Sequence, residues 1–158
     1  MDEESGRELY WWMHDLALGT ICRGSEGAPV EALSMVPETV AVAGSIVRPR
    51  GPAESRLQPI CPPGGHPMLC FVRVDGEPAL PATLRADRIV VVHGDEVWVG
   101  PLVEEDPETR GSARFQVTAR HGPKWEPGLA VDVVVQLRDA MRKLYFVRAP
   151  GQVIERSA

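Results

Sequence analysis

No stretch of this 158-residue chain approaches the roughly 20 consecutive apolar residues that a membrane-crossing helix requires. A basic leading segment is missing as well, since Met1-Asp-Glu-Glu-Ser has the wrong charge for a secretory signal. The expectation is a soluble protein, cytoplasmic in the absence of a signal peptide and exported if a leader has been removed. There is no excess of positive charge. Seventeen Lys and Arg against 22 Asp and Glu give a formal charge of −5, which argues against a nucleic-acid partner, because such proteins gather Lys and Arg on one face. Cysteine is scarce and odd in number: Cys22, Cys61 and Cys70 cannot all pair within the chain.

Catalytic signatures are absent too. No G-x-S-x-G elbow or catalytic-cysteine pattern surrounds His14, His66, His93 or His121. Gly64-Gly65 has neither the lysine nor the following helix of a phosphate-cradling loop. Glu104, Glu105, Asp106 and Glu108 lack the ligand spacing of a calcium loop and read as a solvated acidic cluster. The sequence therefore leans away from an enzyme and implies no cofactor.

What the chain has in abundance is glycine and proline, 15 of each. Prolines break helices and punctuate turns, so the composition favours many short strands. The length suits one domain, residues 1–158, with enough apolar content to bury a core. Residues 3–21 carry the best helical period, with Leu9, Trp12, Met13, Leu16 and Ala17 at offsets of three and four behind an acidic first turn. Residues 23–37 read as a connection. Thr39 to Val47 reads as one strand with a bulge at Gly44, and Arg48 to Pro67 as a long proline-rich loop without regular structure.

Strands then recur at short intervals. Met68 to Val74 is expected to close on a turn at Asp75-Gly76, and Pro78 to Asp87 to be irregular or an edge. Arg88 to His93 and Glu96 to Gly100 flank Gly94-Asp95, a two-residue hairpin loop. Ala113 to Arg120 alternates strictly, with Phe115, Val117 and Ala119 on one side and Arg114, Gln116, Thr118 and Arg120 on the other. Val131, Val133, Val135 and Leu137 share a face opposite Asp132, Gln136 and Arg138. Leu144 to Arg148 and Gln152 to Glu155 complete the set. With no room for crossover helices, the expected fold is all-β: an antiparallel β-sandwich of immunoglobulin-like architecture, or a small barrel, over residues 38–156, with one N-terminal α-helix.

Candidate sites follow from exposure and ligand chemistry. Cys61, His66 and Cys70 crowd into ten residues beside Met68 and are weak candidates for copper or structural zinc, with Cys22, His14, His93 or His121 as a distant fourth ligand. Disulfide pairing of Cys61 with Cys70 and two plain thiols are the alternatives. Trp125 sits in His121-Gly-Pro-Lys124-Trp-Glu-Pro-Gly, where a rigid backbone leaves an indole few places to hide. Adjacent Tyr10, Trp11 and Trp12 put aromatics on more than one side of the N-terminal helix. Trp125, Lys124, His121, Trp11 and Trp12 are therefore the candidate binding residues, for a protein partner or self-association. Charge is also polarised. Asp2, Glu3, Glu4, Glu8 and Asp15 crowd the start, while Arg138, Arg142, Lys143, Arg148 and Arg156 crowd the end, so one end could pack against the other or recruit an acidic partner.

Overall fold

The computed structural model describes residues 3–16, 19, 21–50, 58–61 and 67–156, with 58–61 and 156 described by backbone alone. Helix α1 spans Glu3–Asp15 and is followed by strand β1, Ile21–Arg23. A short helix α2, Val30–Ser34, precedes the strands β2 (Val40–Val42), β3 (Ser45–Arg50), β4 (Gln58–Cys61) and β5 (Met68–Glu77). Then come β6 (Arg85–His93), β7 (Glu96–Pro101), β8 (Arg114–Gly122), β9 (Ala130–Arg138), β10 (Leu144–Val153) and β11 (Glu155–Arg156).

The strands form two packed sheets, the sandwich of the two expected architectures, not a closed barrel. The first sheet runs β1-β7-β6-β9-β10, antiparallel throughout. In the second, β3 and β4 lie end to end along one edge of β5, with β8 along the other. Strand β2 extends β3, and β11 adds a two-residue parallel pairing to β4. Val103, just past β7, exchanges backbone hydrogen bonds with Thr118 of β8 and stitches the sheets together at that edge.

The alternation of β8 holds except at Thr118, which is buried where Val103 pairs with it. Phe115, Val117 and Ala119 face the core between the sheets, while Arg114, Gln116 and Arg120 are exposed. The Gly94-Asp95 hairpin is also present, with His93 opposite Glu96 and Gly94 at φ +62°. Positive φ at the first loop residue matches the twist of the flanking strands.

Several boundaries move. The helix ends at Asp15 rather than continuing to residue 21, because Ile21–Arg23 instead extends the first sheet beside β7. Residues 30–34 of the expected connection are helical. The single strand of residues 39–47 is a hairpin: Ala43 and Gly44 both take positive φ, a two-residue turn pairing Val42 with Ser45. The proline-rich stretch is less irregular than its composition suggests, for Pro49 lies in β3 and Pro59 in β4. Strand β5 runs straight through Asp75-Gly76. Gly76 is needed there because a methyl group on it would meet the Leu80 side chain at 2.4 Å. Part of the segment expected to be irregular or an edge, Arg85 onward, lies instead in the centre of the first sheet between β7 and β9.

One difference reorganises the core. The first sheet is apolar on both faces. Toward the second sheet it presents Ile89, Val91, Trp98, Val133, Val135 and Val147. On its other face Val90, Val97, Val99, Val134 and Phe146 pack under Leu9 and Met13 of α1 and Ala32 and Leu33 of α2. Burying both faces is what lets the valines run consecutively in β6 and β9. Sheet arginines tether the helical layer through its last carbonyls. Arg88 donates to the Met13 carbonyl near the end of α1, and Arg148 donates from Nε to Val36 at 2.8 Å and from its backbone N–H to Pro37. Cations suit the negative end of a helix.

Candidate functional site

The three candidate tryptophans have different fates. On α1, Leu9 and Met13 point into the sheet at positions i and i+4, and Trp12 and Leu16 follow them as partly buried neighbours. Trp11 falls on the opposite side and is 56% exposed, with Tyr10 at 41%. Their rings meet edge to face with centroids 5.2 Å apart, and His14 stacks on Tyr10 at 6.0 Å. The result is an exposed aromatic knob. Glu4, Glu8 and Asp15, all exposed, share the solvent side of the helix with Trp11.

Trp125 behaves otherwise. It is partly buried against the end of the inter-sheet core, and its ring lies 5.7 Å from that of His93 at the β6–β7 turn. His121 takes φ +64° and is exposed, as is Lys124. These residues do not join Trp11 in one site, because their loop connects β8 of the second sheet to β9 of the first, while α1 lies on the far face of the first sheet.

Beside the knob runs an apolar groove of about 660 Å³ between α1 and the β9–β10 hairpin. Tyr10 forms one wall, Pro37 and Val40 contribute to another, and Leu144 and Phe146 belong to β10. Arg142 and Lys143 stand at its rim, facing Glu3 and Gly6 of α1. Thus the acidic start and the basic end of the chain meet across this groove. The polarised charge was the one signal in the sequence that pointed here. Nothing in the local pattern marked Pro37, Val40 or Phe146, which come together only through the fold.

Asp139 holds the basic rim in place. Its Oδ1 accepts hydrogen bonds from the backbone N–H groups of Met141 and Lys143, both at 2.9 Å, and its Oδ2 accepts the Tyr145 hydroxyl at 3.0 Å. These donors, the Lys143 amide first, hold the Asp139 carboxyl below its usual range. Burial, with Asp139 alongside, pushes the Tyr145 phenol up. Lys143 reaches over the Tyr145 ring, its Nζ 5.2 Å from the centroid. At the hairpin tip Met141 is 87% exposed.

The cysteine cluster divides at the limit of the described residues. His66 and the Cys61 side chain, and with them the metal and disulfide expectations for that segment, lie outside what is described. Cys70 is a free thiol facing the core between Met68 and Val72, and burial pushes it up to about 12. A thiol held so firmly protonated is a poor ligand and a poor nucleophile. Cys22 is likewise free and buried beneath the helical layer, its thiol raised by burial and by the nearby Glu26 carboxylate. Among the described residues no group of three His, Cys, Asp or Glu side chains is placed to hold a metal ion, and no helix is long and apolar enough to cross a membrane.

Comparison of the chain with protein-family models, with curated proteins and with solved structures finds no match in any of the three.

Proposed function

We propose that this chain is a non-enzymatic binding or accessory module that engages another protein through α1 and the groove beside it. The observation that carries the reading is the side-by-side placement of Tyr10 and Trp11, both exposed, and an apolar groove floored by β10. Tyr and Trp are the residues that most often dominate binding energy, and they do so when a partner dries them. A solvated aromatic pair has little to do for the fold, because Leu9 and Met13 already anchor the helix. The occupant that fits is a segment with an apolar anchor and acidic flanks, since Arg142 and Lys143 rim the groove.

The test compares the wild type with a Tyr10→Ser/Trp11→Ser variant that keeps its fold. Solution mass reads self-association, and affinity capture from the native cell followed by binding of the purified partner reads a second protein. A self-complex or a defined partner that weakens at least ~30-fold in the variant supports the reading, since loss of one hot-spot side chain costs about 2 kcal/mol or more. An unchanged monomer with no partner, or equal binding by both proteins, sinks it.

An exported metal- or carbohydrate-binding domain is the second reading, and it finds less support. Trp125, its best aromatic, spends much of its ring against the core and His93, and Cys70 is buried.

A further inference from the structure

The outer face of the second sheet carries a charge pattern that folding alone does not favour. Strand alternation turns Arg73 and Asp75 of β5 outward, together with Arg48 and Arg50 of β3 and Arg114 of β8. Register then sets them in two rows. Arg48, Asp75 and Arg114 lie directly opposite one another across three strands, and in the next row Arg50 lies opposite Arg73, with Gln116 beyond. At ordinary strand spacing the array covers roughly 10 Å by 7 Å.

Two like charges directly opposite across a ladder are destabilising. Here Arg50 and Arg73 converge on one carboxylate. Arg73 grips Asp75 through Nε at 3.0 Å and Nη2 at 3.3 Å, and Arg50 Nε approaches the same group at 3.3 Å. Arg48 and Arg114, flanking that carboxylate, have no ion pair among the described residues. Among the described strand residues the next acid on this face is Glu77, a row further along opposite Ile46. Four guanidinium groups thus gather around Asp75 in a chain whose formal charge is −5, so composition does not account for them.

The array also has a hollow at its edge. Arg48 and Arg50 line a polar cleft of about 480 Å³ at the seam between β3 and β10, with Arg148 on its far wall and Glu38 and Gln152 among its remaining lining. Arg148 spends its Nε on the Val36 carbonyl, and its Nη1 lies 3.6 Å from Asp132, which leaves Nη2 for a ligand. Three arginines around one hollow present planar forks that match oxyanions in bidentate fashion.

We propose that this cleft and the adjoining arginine rows bind a small, multiply charged oxyanion of the phosphate or polycarboxylate class. The bound anion accepts hydrogen bonds from Arg48 and from the outward edges of Arg50 and Arg148. The site lies where the second sheet meets β10 of the first, and it shares no lining residue with the groove beside α1.

Calorimetric and NMR titrations of the full chain with pyrophosphate and, separately, with citrate test the proposal, and the two arms distinguish the phosphate from the carboxylate source. Expected is saturable binding at low salt by at least one of them. Amide shifts should be confined to β3, the centre of β5 and residues 148–152, and affinity should fall as salt rises. Arg48→Ala should weaken it about tenfold or more, the loss of one charge-assisted contact. Arg48→Lys should restore only part of it, because an ammonium lacks the fork. Since Arg48 has no ion pair to lose among the described residues, an unchanged melting temperature separates lost binding from lost fold. No saturable binding of either anion, binding equal in wild type and Arg48→Ala, or binding of a short single-stranded oligonucleotide but not of the small anions would each overturn the proposal.

Discussion

The indole of Trp98 lies against the backbone at Gly100, so closely that a methyl group on Gly100 would come within 2.4 Å of the ring. Both residues belong to β7, on the face toward the second sheet, and Trp98 is among the largest fully buried side chains. The missing side chain at Gly100 is the space the indole occupies. Gly100→Ala is therefore expected to lower stability by about 1–3 kcal/mol, as overpacking does. Urea unfolding of the variant measures it, and a cost below a few tenths would mean that the ring shifts freely.

The two-faced first sheet makes a separate prediction. Val134 is fully buried on the helix-facing side, among polar positions Asp132 and Gln136 that would otherwise mark that face as solvated. Val134→Ala should cost about 2 kcal/mol, and Val134→Asp should abolish folding by burying a lone carboxylate. A surface-like response within about 0.5 kcal/mol would show that α1 and α2 do not cover the sheet in solution.

The tryptophans should separate by stability. Trp11→Ser is expected to change it by less than about 0.5 kcal/mol, as an exposed site does. Trp12→Ser, whose ring helps seal the helix–sheet core, should cost about 2 kcal/mol or more. Thermal melts of the two single variants decide this, and equal losses would mean that the helix is docked differently.

Asp139 supplies a pH dependence. Its carboxyl titrates lower in the folded protein than in the unfolded chain, so its contribution to stability is fully present above the ordinary aspartate value of 3.8 and is lost as pH falls through the depressed folded value. Amide exchange at Met141 and Lys143 should therefore accelerate as pH drops below that value, beyond the intrinsic exchange trend, and Asp139→Asn should remove the pH-dependent part. Identical pH profiles in wild type and variant would exclude the carboxylate as organiser of the hairpin.

Cys70 should be silent toward thiol reagents in the native state, its thiol buried and raised to about 12. Ellman's titration of native and of unfolded protein checks this. Rapid native labelling of Cys70 would contradict its place between the sheets.

Much of the second half of the chain could be read locally. Gly94-Asp95 set its own hairpin because glycine supplies the positive φ there, and alternation in β8 revealed the dry face of Phe115, Val117 and Ala119, though not the covering of Thr118 by Val103. Where a local rule failed, a distant contact had overridden it. Asp75-Gly76 has turn chemistry, yet both residues stay within β5, and Leu80 packs where a side chain on Gly76 would be. Pro49 and Pro59 resemble loop residues, yet both lie on the same edge of β5. The candidate site was half legible in the same sense: Trp11 was visible as an aromatic without a core-facing position, while the groove beside it was not.

Composition, spacing and periodicity determined that this chain would form short antiparallel strands behind one aromatic helix, since those are consequences of neighbouring residues and of backbone stereochemistry. Only the tertiary structure decided which aromatics stay wet, that the first sheet is dry on both faces, that Arg142 and Lys143 meet Glu3 across a groove, and that Arg50 comes to rest opposite Arg73. Those relationships depend on register and layer order, which pair residues remote in sequence. A local pattern carries the face a residue prefers, but not which partner will cover it.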